Sequence, residues 1–302
     1  MTGKTRIWLG LFLLVPAMVT VAVIGLLVFD IVRPLPSLQP LPNPNGYVDL
    51  AKAGAMVHDD TGNATGMTPG ELRRLAALNA WALQAARIAL QEGCAVPLEF
   101  SEAYISRHLS ELGDCKKLAQ AFAAEGRLAE EEHRPGDSVK SYLDVMRLGN
   151  QSARGGIVID QLVGTAIEAI GTAHLQKLVD RLDAKTCRET AATLELLDTQ
   201  KQSWADVLRQ EEAWSRRTYT GPSYRIHRLL LAKSAANALQ KAEGRFNEQE
   251  KKTRLLLIDF ASRAYELDKG HRPASLADLV PDYLKAVPQD PVAATNPVHS
   301  PR

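Results

Sequence analysis

Residues 68–93, TPGELRRLAALNAWALQAARIALQEG, carry the signals for both ends of an amphipathic helix and decide the fold class. Thr68 is a preferred N-cap residue, and Glu71 stands three residues after it, as a capping box requires. Pro69 suits the first turn, and Gly93 marks the end of the helix. Between these signals, apolar residues at helical spacing predict one buried stripe, made by Leu72, Leu75, Leu78, Trp81, Ala85 and Ile88.

The same helical spacing continues along the rest of the body. Glycine divides the pattern, so we predict one helix ending at Gly113, another beginning at Asp114, and a late pair of long helices separated by Gly244. No stretch alternates with period two, which makes a sheet improbable and predicts an all-α fold. The helices are expected over 97–112, 114–132, from the turn at 134–137 onward, after Gly155-Gly156, over 184–197, after Ser203, and over 224–243 and 247–268.

One of these helical pairs is similar to a tetratricopeptide repeat unit. Residues 122–149, FAAEGRLAEEEHRPGDSVKSYLDVMRLG, place small and aromatic residues much as such a unit does. Tetratricopeptide arrays need several stacked units with a period of about 34 residues, and this chain shows no sustained period of that length. We therefore predict an irregular array of helical hairpins that is only partly tetratricopeptide-like.

An uncharged run of 22 residues, from Trp8 to Phe29, precedes the body. As a helix it is about 33 Å long, which is enough to cross a bilayer. The run ends in Asp30-Ile31-Val32-Arg33-Pro34 and lacks a cleavage site of small residues, so we predict an uncleaved transmembrane anchor. Lys4 and Arg6 precede the run and favour a cytoplasmic N-terminus, a single pass through the inner membrane and a periplasmic body.

These features divide the chain into four parts. Residues 1–33 are the cytoplasmic tip and the anchor, 34–47 a Pro-rich linker, 48–268 the helical body, and 269–302 the C-terminal segment and tail. The five prolines of the linker favour an extended, semi-rigid spacer between membrane and body. The alternative is that the linker is a ligand for a proline-recognising domain.

The composition excludes some partners. The chain has 36 basic and 35 acidic residues, for a net charge of +1, so it exerts no overall attraction on nucleic acid. Its hydrophobic fraction of 45% is typical of a globular protein and argues against wholesale disorder.

No motif in the chain indicates a reaction. The three cysteines, Cys94, Cys115 and Cys187, form no CxxC pair, and the metalloprotease, hydrolase-elbow and phosphate-loop patterns do not occur. We therefore predict no catalytic residue, no metal ligand and no cofactor. The helix expected between Cys94 and Cys115 argues against a disulfide between them, although an exported location leaves that bridge open.

Aromatic and basic residues cluster in the last third of the body and form the candidate binding site. They would suit a groove for a peptide or a glycan. The alternative is that the same aromatic rings belong to the helical core, with arginine stems covering it. The groove residues are Trp204, Trp214, Arg217, Tyr219 and Tyr224.

Two stretches resemble known proteins. Residues 108–170, from HLSELGDCKK to GTAIEAI, resemble a group of uncharacterised bacterial membrane-anchored helical proteins, which implies the architecture and the compartment but no activity. Residues 264–291, AYELDKGHRPASLADLVPDYLKAVPQDP, are similar to the C-terminal segment of type II secretion pseudopilins. Arg272 stands where those proteins usually carry an aromatic residue, and their calcium loop is missing after Pro291. The second resemblance therefore implies a shared folding module only.

The sequence leads to one principal function and two rivals. We expect a membrane-anchored helical interaction or scaffold protein of the bacterial envelope, which binds the bilayer through Trp8 to Phe29 and a protein partner through its body. The rivals are an envelope hydrolase whose acid/base pair comes from distant carboxylates, and an accessory protein of a secretion or pseudopilus system. An enzyme is the less favoured class.

Overall fold

The computed structural model describes residues 33–58, 66–221, 224 and 231–292, together with Gly25. All the regular secondary structure in this part of the chain is helical, so the predicted all-α class is confirmed. Short 3-10 turns occupy Val179–Arg181 and Leu276–Leu279. The α-helices of the described residues are α1 (Gly46–Ala55), α2 (Pro69–Ala89), α3 (Tyr104–Glu131), α4 (Pro135–Ala153), α5 (Val158–Leu175), α6 (Ala184–Gln200), α7 (Trp204–Thr218) and α8 (Ala232–Lys269).

The predicted transmembrane anchor, Trp8 to Phe29, lies outside the described residues except for Gly25. Among the helices that the structure does describe, none combines the length and the apolar character that a membrane crossing requires.

The predicted helix starts at Thr68 and Ser203 are confirmed. The Thr68 backbone N–H donates to Glu71 Oε2 at 2.7 Å, and the Glu71 N–H donates back to Thr68 Oγ1 at 3.4 Å. Ser203 Oγ accepts from the Asp206 N–H at 3.2 Å. These side chains satisfy backbone donors that the first turn of a helix leaves unpaired.

Two predicted helix breaks are wrong, because the chain stays helical through Gly113 and Gly244. The helices expected over 97–112 and 114–132 are one helix, α3, and residues 97–103 before it are not helical. The late pair is likewise one helix, α8. Both glycines are exposed with nothing near their Cβ positions. Each costs its helix only about 1 kcal/mol relative to alanine, which the burial of the flanking turns exceeds.

The predicted stripe of α2 is also wrong in its second half. Leu72 and Leu75 are buried, but Leu78, Trp81 and Ile88 face solvent, and Trp81 is 75% exposed. The buried face instead continues through another set of residues, three of which are alanines: Asn79, Ala82, Leu83, Ala86 and Ala89. Helix α2 therefore has two apolar faces, of which one belongs to the core.

The core forms between helices that follow one another in the chain. Helix α1 packs on α2, α2 on α3, α3 on α4, and α4 on α5. Helix α8 covers α5 and α6. The contact between α4 and α5 is close enough for glycine alone: a Cβ added to Gly164 would stand 2.5 Å from the Gly149 carbonyl oxygen, and one added to Gly149 would stand 2.6 Å from that of Gly164. Such distances require the bare backbone at this crossing.

The chain turns back on itself after α8. Gly270, with a φ of 76°, ends the helix in the left-handed region that glycine favours. The Tyr283 hydroxyl donates to Asp268 Oδ2 at 2.9 Å, and the Lys251 ammonium lies 2.9 Å from Asp290. Leu279 and Leu284 are buried in the core. The C-terminal segment is thus part of the body as far as residue 292.

Candidate functional site

The structure brings four of the five predicted groove residues together at the C-terminal end of α7. Tyr219 and Tyr224 are stacked with 4.2 Å between ring centroids, and Tyr219 meets the ring of Trp214 edge-on at 5.7 Å. Arg217 lies on the same helix as Trp214. Trp204 is separate, since it begins α7 and packs on Phe246 of α8, at 5.7 Å between centroids.

Trp214 is a buried residue at this end of the helix. Its Nε1–H donates to the Glu99 carbonyl oxygen at 2.8 Å, and its ring lies 6.1 Å from that of Tyr104 in α3. A buried indole whose one donor is satisfied contributes chiefly to packing. Trp214 therefore attaches α7 to the rest of the body and does not line an open groove.

The arginines beside Trp214 hold the Pro-rich linker of the same chain. Arg216 donates to the carbonyl oxygens of Arg33 at 2.6 Å and Pro34 at 3.1 Å, and Arg217 donates to that of Pro36 at 2.9 Å. Extended proline-rich backbone makes no hydrogen bonds of its own, so its carbonyl oxygens are available to such donors. The place predicted for a peptide partner thus contacts the chain's own residues 33–36.

Hydrogen bonds hold the linker to the body at both of its ends, and we call residues 33–45 the strap. At its far end the Asn45 side chain accepts from the Ala95 N–H at 3.0 Å and donates to the Ala95 carbonyl at 2.8 Å. The Gly46 N–H donates to the Gly93 carbonyl at 3.0 Å. A cleft of about 500 Å³ runs beside the strap and is lined on its other side by Arg154 and Lys201.

A second candidate site is a buried ionisable cluster that the sequence analysis missed. His108 of α3 bonds Asp160 of α5 through Nε2, and its Nδ1 lies 3.1 Å from Glu111 Oε2. His108 is 1% exposed and Asp160 is fully buried. With a carboxylate at each ring nitrogen, the doubly protonated imidazolium is the form that donates to both.

Burial and charge oppose each other in setting the pKa of His108. Burial lowers it, because the charged ring loses water, whereas the hydrogen bonds and negative charges of Asp160 and Glu111 raise it. The effect of the carboxylates is the larger one, so the pKa of His108 lies above its ordinary value. Asp160 is itself held by a bond at 2.7 Å from the Ile157 N–H at the start of α5.

Residues from two further helices enclose the cluster. The Tyr104 ring stacks on His108 at 4.7 Å, and the ring of Tyr47, from α1, lies 6.3 Å away. Glu211 of α7 accepts from the Val158 N–H at 3.0 Å, and burial raises its pKa. The cluster therefore joins α1, α3, α5 and α7, and among the described residues the imidazole is almost completely covered.

The cysteines show no sign of reactivity. Cys94, Cys115 and Cys187 are free and buried, and burial raises the pKa of their thiols to about 12, 12 and 11. A thiol that stays protonated at neutral pH is a poor nucleophile. Across the described residues, no group of three histidine, cysteine or acidic side chains is placed to hold a metal ion.

No sequence signal marks His108 and Asp160 as partners. They are 52 residues apart, and each has an ordinary local explanation: His108 lies within a helix, and Asp160 occupies the acidic position favoured in a first turn. Only the packing of α3 on α5 brings them together.

Comparisons with protein-family models, with curated proteins and with solved structures return no match for this chain.

Proposed function

We propose that the chain is a single-pass, membrane-anchored interaction protein of the bacterial envelope, with a body of irregular helical hairpins on the periplasmic side. The uncharged run from Trp8 to Phe29 supports the anchor, and the two basic residues before it support the orientation. The α3–α4 pair supplies the partly tetratricopeptide-like unit.

The observation that best supports an interaction role is the exposed apolar face of α2. Leu78, Trp81 and Ile88 follow one another at helical spacing and face solvent, while the opposite face of the same helix is in the core. A solitary exposed apolar residue needs no explanation, but a row on one rigid helix is typical of a protein interface. Tryptophan is also among the residues that most often dominate binding energy. The occupant we propose is an apolar surface of an envelope protein.

The hydrolase alternative is not favoured by this geometry. His108 with Asp160 is the pair of distant ionisable groups that such an enzyme would use, but neither side chain reaches solvent. General acid–base catalysis requires hydrogen-bond contact with a substrate atom. The secretion-accessory alternative still depends on the pseudopilin-like segment alone.

Site-specific photo-crosslinking in the native membrane tests the proposal. A crosslinking amino acid at Trp81 or Ile88 of the full-length protein should yield the same defined protein adduct, whereas one at Lys185, exposed on α6, should not. The adduct formed at Ile88 should disappear in a Trp81→Ser background and persist in a Lys185→Ser background. Adducts equal at all three positions, or none at Trp81 and Ile88, would count against a partner on this face.

Membrane topology needs a separate reporter because the native cysteines are buried. A cysteine at Lys185, exposed on α6, should react with a membrane-impermeant maleimide in intact spheroplasts if the body is periplasmic. Labelling that appears only after lysis would overturn the orientation.

A further inference from the structure

We propose that the body lies directly on the phospholipid surface, through the face that surrounds the C-terminal end of α7, and is not held away from the membrane by its linker. This inference rests on the proposed function, since it takes Trp8 to Phe29 as the anchor. The surface that this face contacts is the lipid interface of the leaflet from which the strap emerges.

Only a short stretch of chain separates the anchor from the body. Phe29 ends the uncharged run, and the carbonyl of Arg33 is already bonded to Arg216. Four residues reach at most about 14 Å when fully extended. The headgroup layer on each side of the hydrocarbon core is about 5–7 Å thick. The end of α7 therefore stands within or just above the headgroups.

The start of the strap is bound to the body and therefore does not act as a free spacer. The carbonyls of Arg33, Pro34 and Pro36 are all bonded to α7, and Arg33 also lies 3.2 Å from Glu212. These contacts hold the first four residues of the strap on the body. The three remaining prolines of the strap then continue across the body surface instead of projecting from it.

The face around the end of α7 exposes apolar and aromatic side chains. Leu35, between two bonded carbonyls of the strap, is 50% exposed, and Phe100, under the guanidinium of Arg217, is 43% exposed. The stacked Tyr219 and Tyr224 rings lie at the same end of α7. Amphipathic aromatic rings with arginine are the residues that proteins place at membrane interfaces.

The charges on this face limit the kind of lipid interaction. Arg33 is paired with Glu212, and Arg107 with Glu99. Arg216 and Arg217 are committed to the strap carbonyls. Among the described residues of this face, two arginines are paired with carboxylates and two bond uncharged carbonyls, so contact with lipid should depend on apolar burial more than on anionic headgroups.

Nitroxide labels on the full-length protein in phosphatidylcholine/phosphatidylethanolamine vesicles test this placement. Single cysteines replace Leu35, Phe100, Val19 in the anchor, Trp81 in the α2 face, and Lys185, which is exposed on α6. The ratio of collision rates with oxygen and with a water-soluble nickel chelate rises with depth in lipid. We expect this ratio to be several-fold higher at Leu35 and Phe100 than at Lys185 and Trp81, and unchanged by high salt.

The outcomes separate the inference from the function it rests on. A lipid-like ratio at Val19 with a water-like ratio at Phe100 would overturn the surface contact and leave the anchor intact. A water-like ratio at Val19 would overturn both. A lipid-like ratio at Trp81 with a water-like ratio at Phe100 would assign the membrane to the α2 face instead.

A variant of the strap contacts provides the final control. Arg216→Ala/Arg217→Ala should release the strap and lower the ratio at Phe100 toward that of Lys185, while the ratio at Val19 stays the same. Arg209→Ala, an exposed arginine on the same helix, is the matched control and should change neither ratio. Retention of the lipid-like ratio at Phe100 in the double variant would contradict the role given to the strap.

Discussion

His108 and Asp160, 52 residues apart in the chain, share a hydrogen bond that is closed to solvent at the contact between α3 and α5. Glu111 approaches the other ring nitrogen, and Tyr47, Tyr104 and Glu211 complete the surroundings from α1, α3 and α7. The contact between α3 and α5 therefore depends on the protonated ring of His108.

The unfolding free energy should therefore depend on pH through His108. Its pKa is raised on folding, so its stabilising contribution is fully present below the unfolded value near 6.5 and is lost as pH rises through the folded value. Glu211, whose pKa is also raised, acts in the same direction at lower pH. We expect urea unfolding of the full-length protein in detergent to show greater stability at pH 6.5 than at pH 8, a comparison that stops below the ordinary pKa of the cysteine thiols.

Replacement of His108 should lower the free energy of unfolding and should weaken its dependence on pH. His108→Gln leaves the buried carboxylate of Asp160 without its cation, a change of about 3–5 kcal/mol for a buried pair. His271→Gln, which changes an exposed histidine, is the control and should leave the profile intact. An unaltered pH slope in His108→Gln would show that another group is responsible.

The glycine crossing of α4 and α5 should tolerate no side chain. Gly164→Ala puts a Cβ 2.5 Å from the Gly149 carbonyl, and the resulting helix displacement should cost about 1–3 kcal/mol. Gly113→Ala, where nothing lies within 4 Å, should stabilise α3 by up to about 1 kcal/mol. Denaturant midpoints measure both, and equal destabilisation of the two variants would contradict the close-contact argument.

Lys201 and Glu168 form an ion pair, 2.6 Å apart, whose side chains are 9% and 5% exposed. Lys201→Met should destabilise the protein by about 3–5 kcal/mol, because Glu168 is left buried and unpaired. The double variant Lys201→Met/Glu168→Leu should recover most of that loss. Lys185→Met, at an exposed lysine, is the control. A double variant no more stable than Lys201→Met would show that the charge is not the cause.

Asn45 should hold the end of the strap. Asn45→Ala removes both of its bonds to the Ala95 backbone, at about 1 kcal/mol each, together with the N-cap of α1. We expect faster amide exchange at Ala95 and Gly46, and earlier proteolysis between residues 35 and 41. Asn237→Ala, at an exposed position in α8, should show neither effect.

The local signals of the sequence were enough to predict the fold class and many helix ends. Thr68 and Ser203 each bond a residue three positions later, so their roles can be predicted without knowledge of the packing. Gly113 and Gly244 misled the prediction because the stability of a long helix comes from the faces it buries, which a single glycine does not report.

The candidate sites depend on contacts between distant residues, and the sequence predicted them less well. The region around Trp214 and Arg217 was identified, because aromatic and basic residues stand out in one stretch. Its relation to Arg33 and Pro36 was not predicted, since nothing local links residues about 180 apart. The second face of α2 was misassigned because helical periodicity shows which residues share a side but not which side meets the core.

The three free thiols have a practical consequence for production of the protein. Cys94, Cys115 and Cys187 form no cross-link and remain shielded from solvent, so the described fold requires no oxidation step during maturation. The body can therefore be expressed in a reducing cytosol without loss of a covalent constraint. The same property makes the native chain a suitable background for single reporter cysteines, because the existing thiols do not compete for the label.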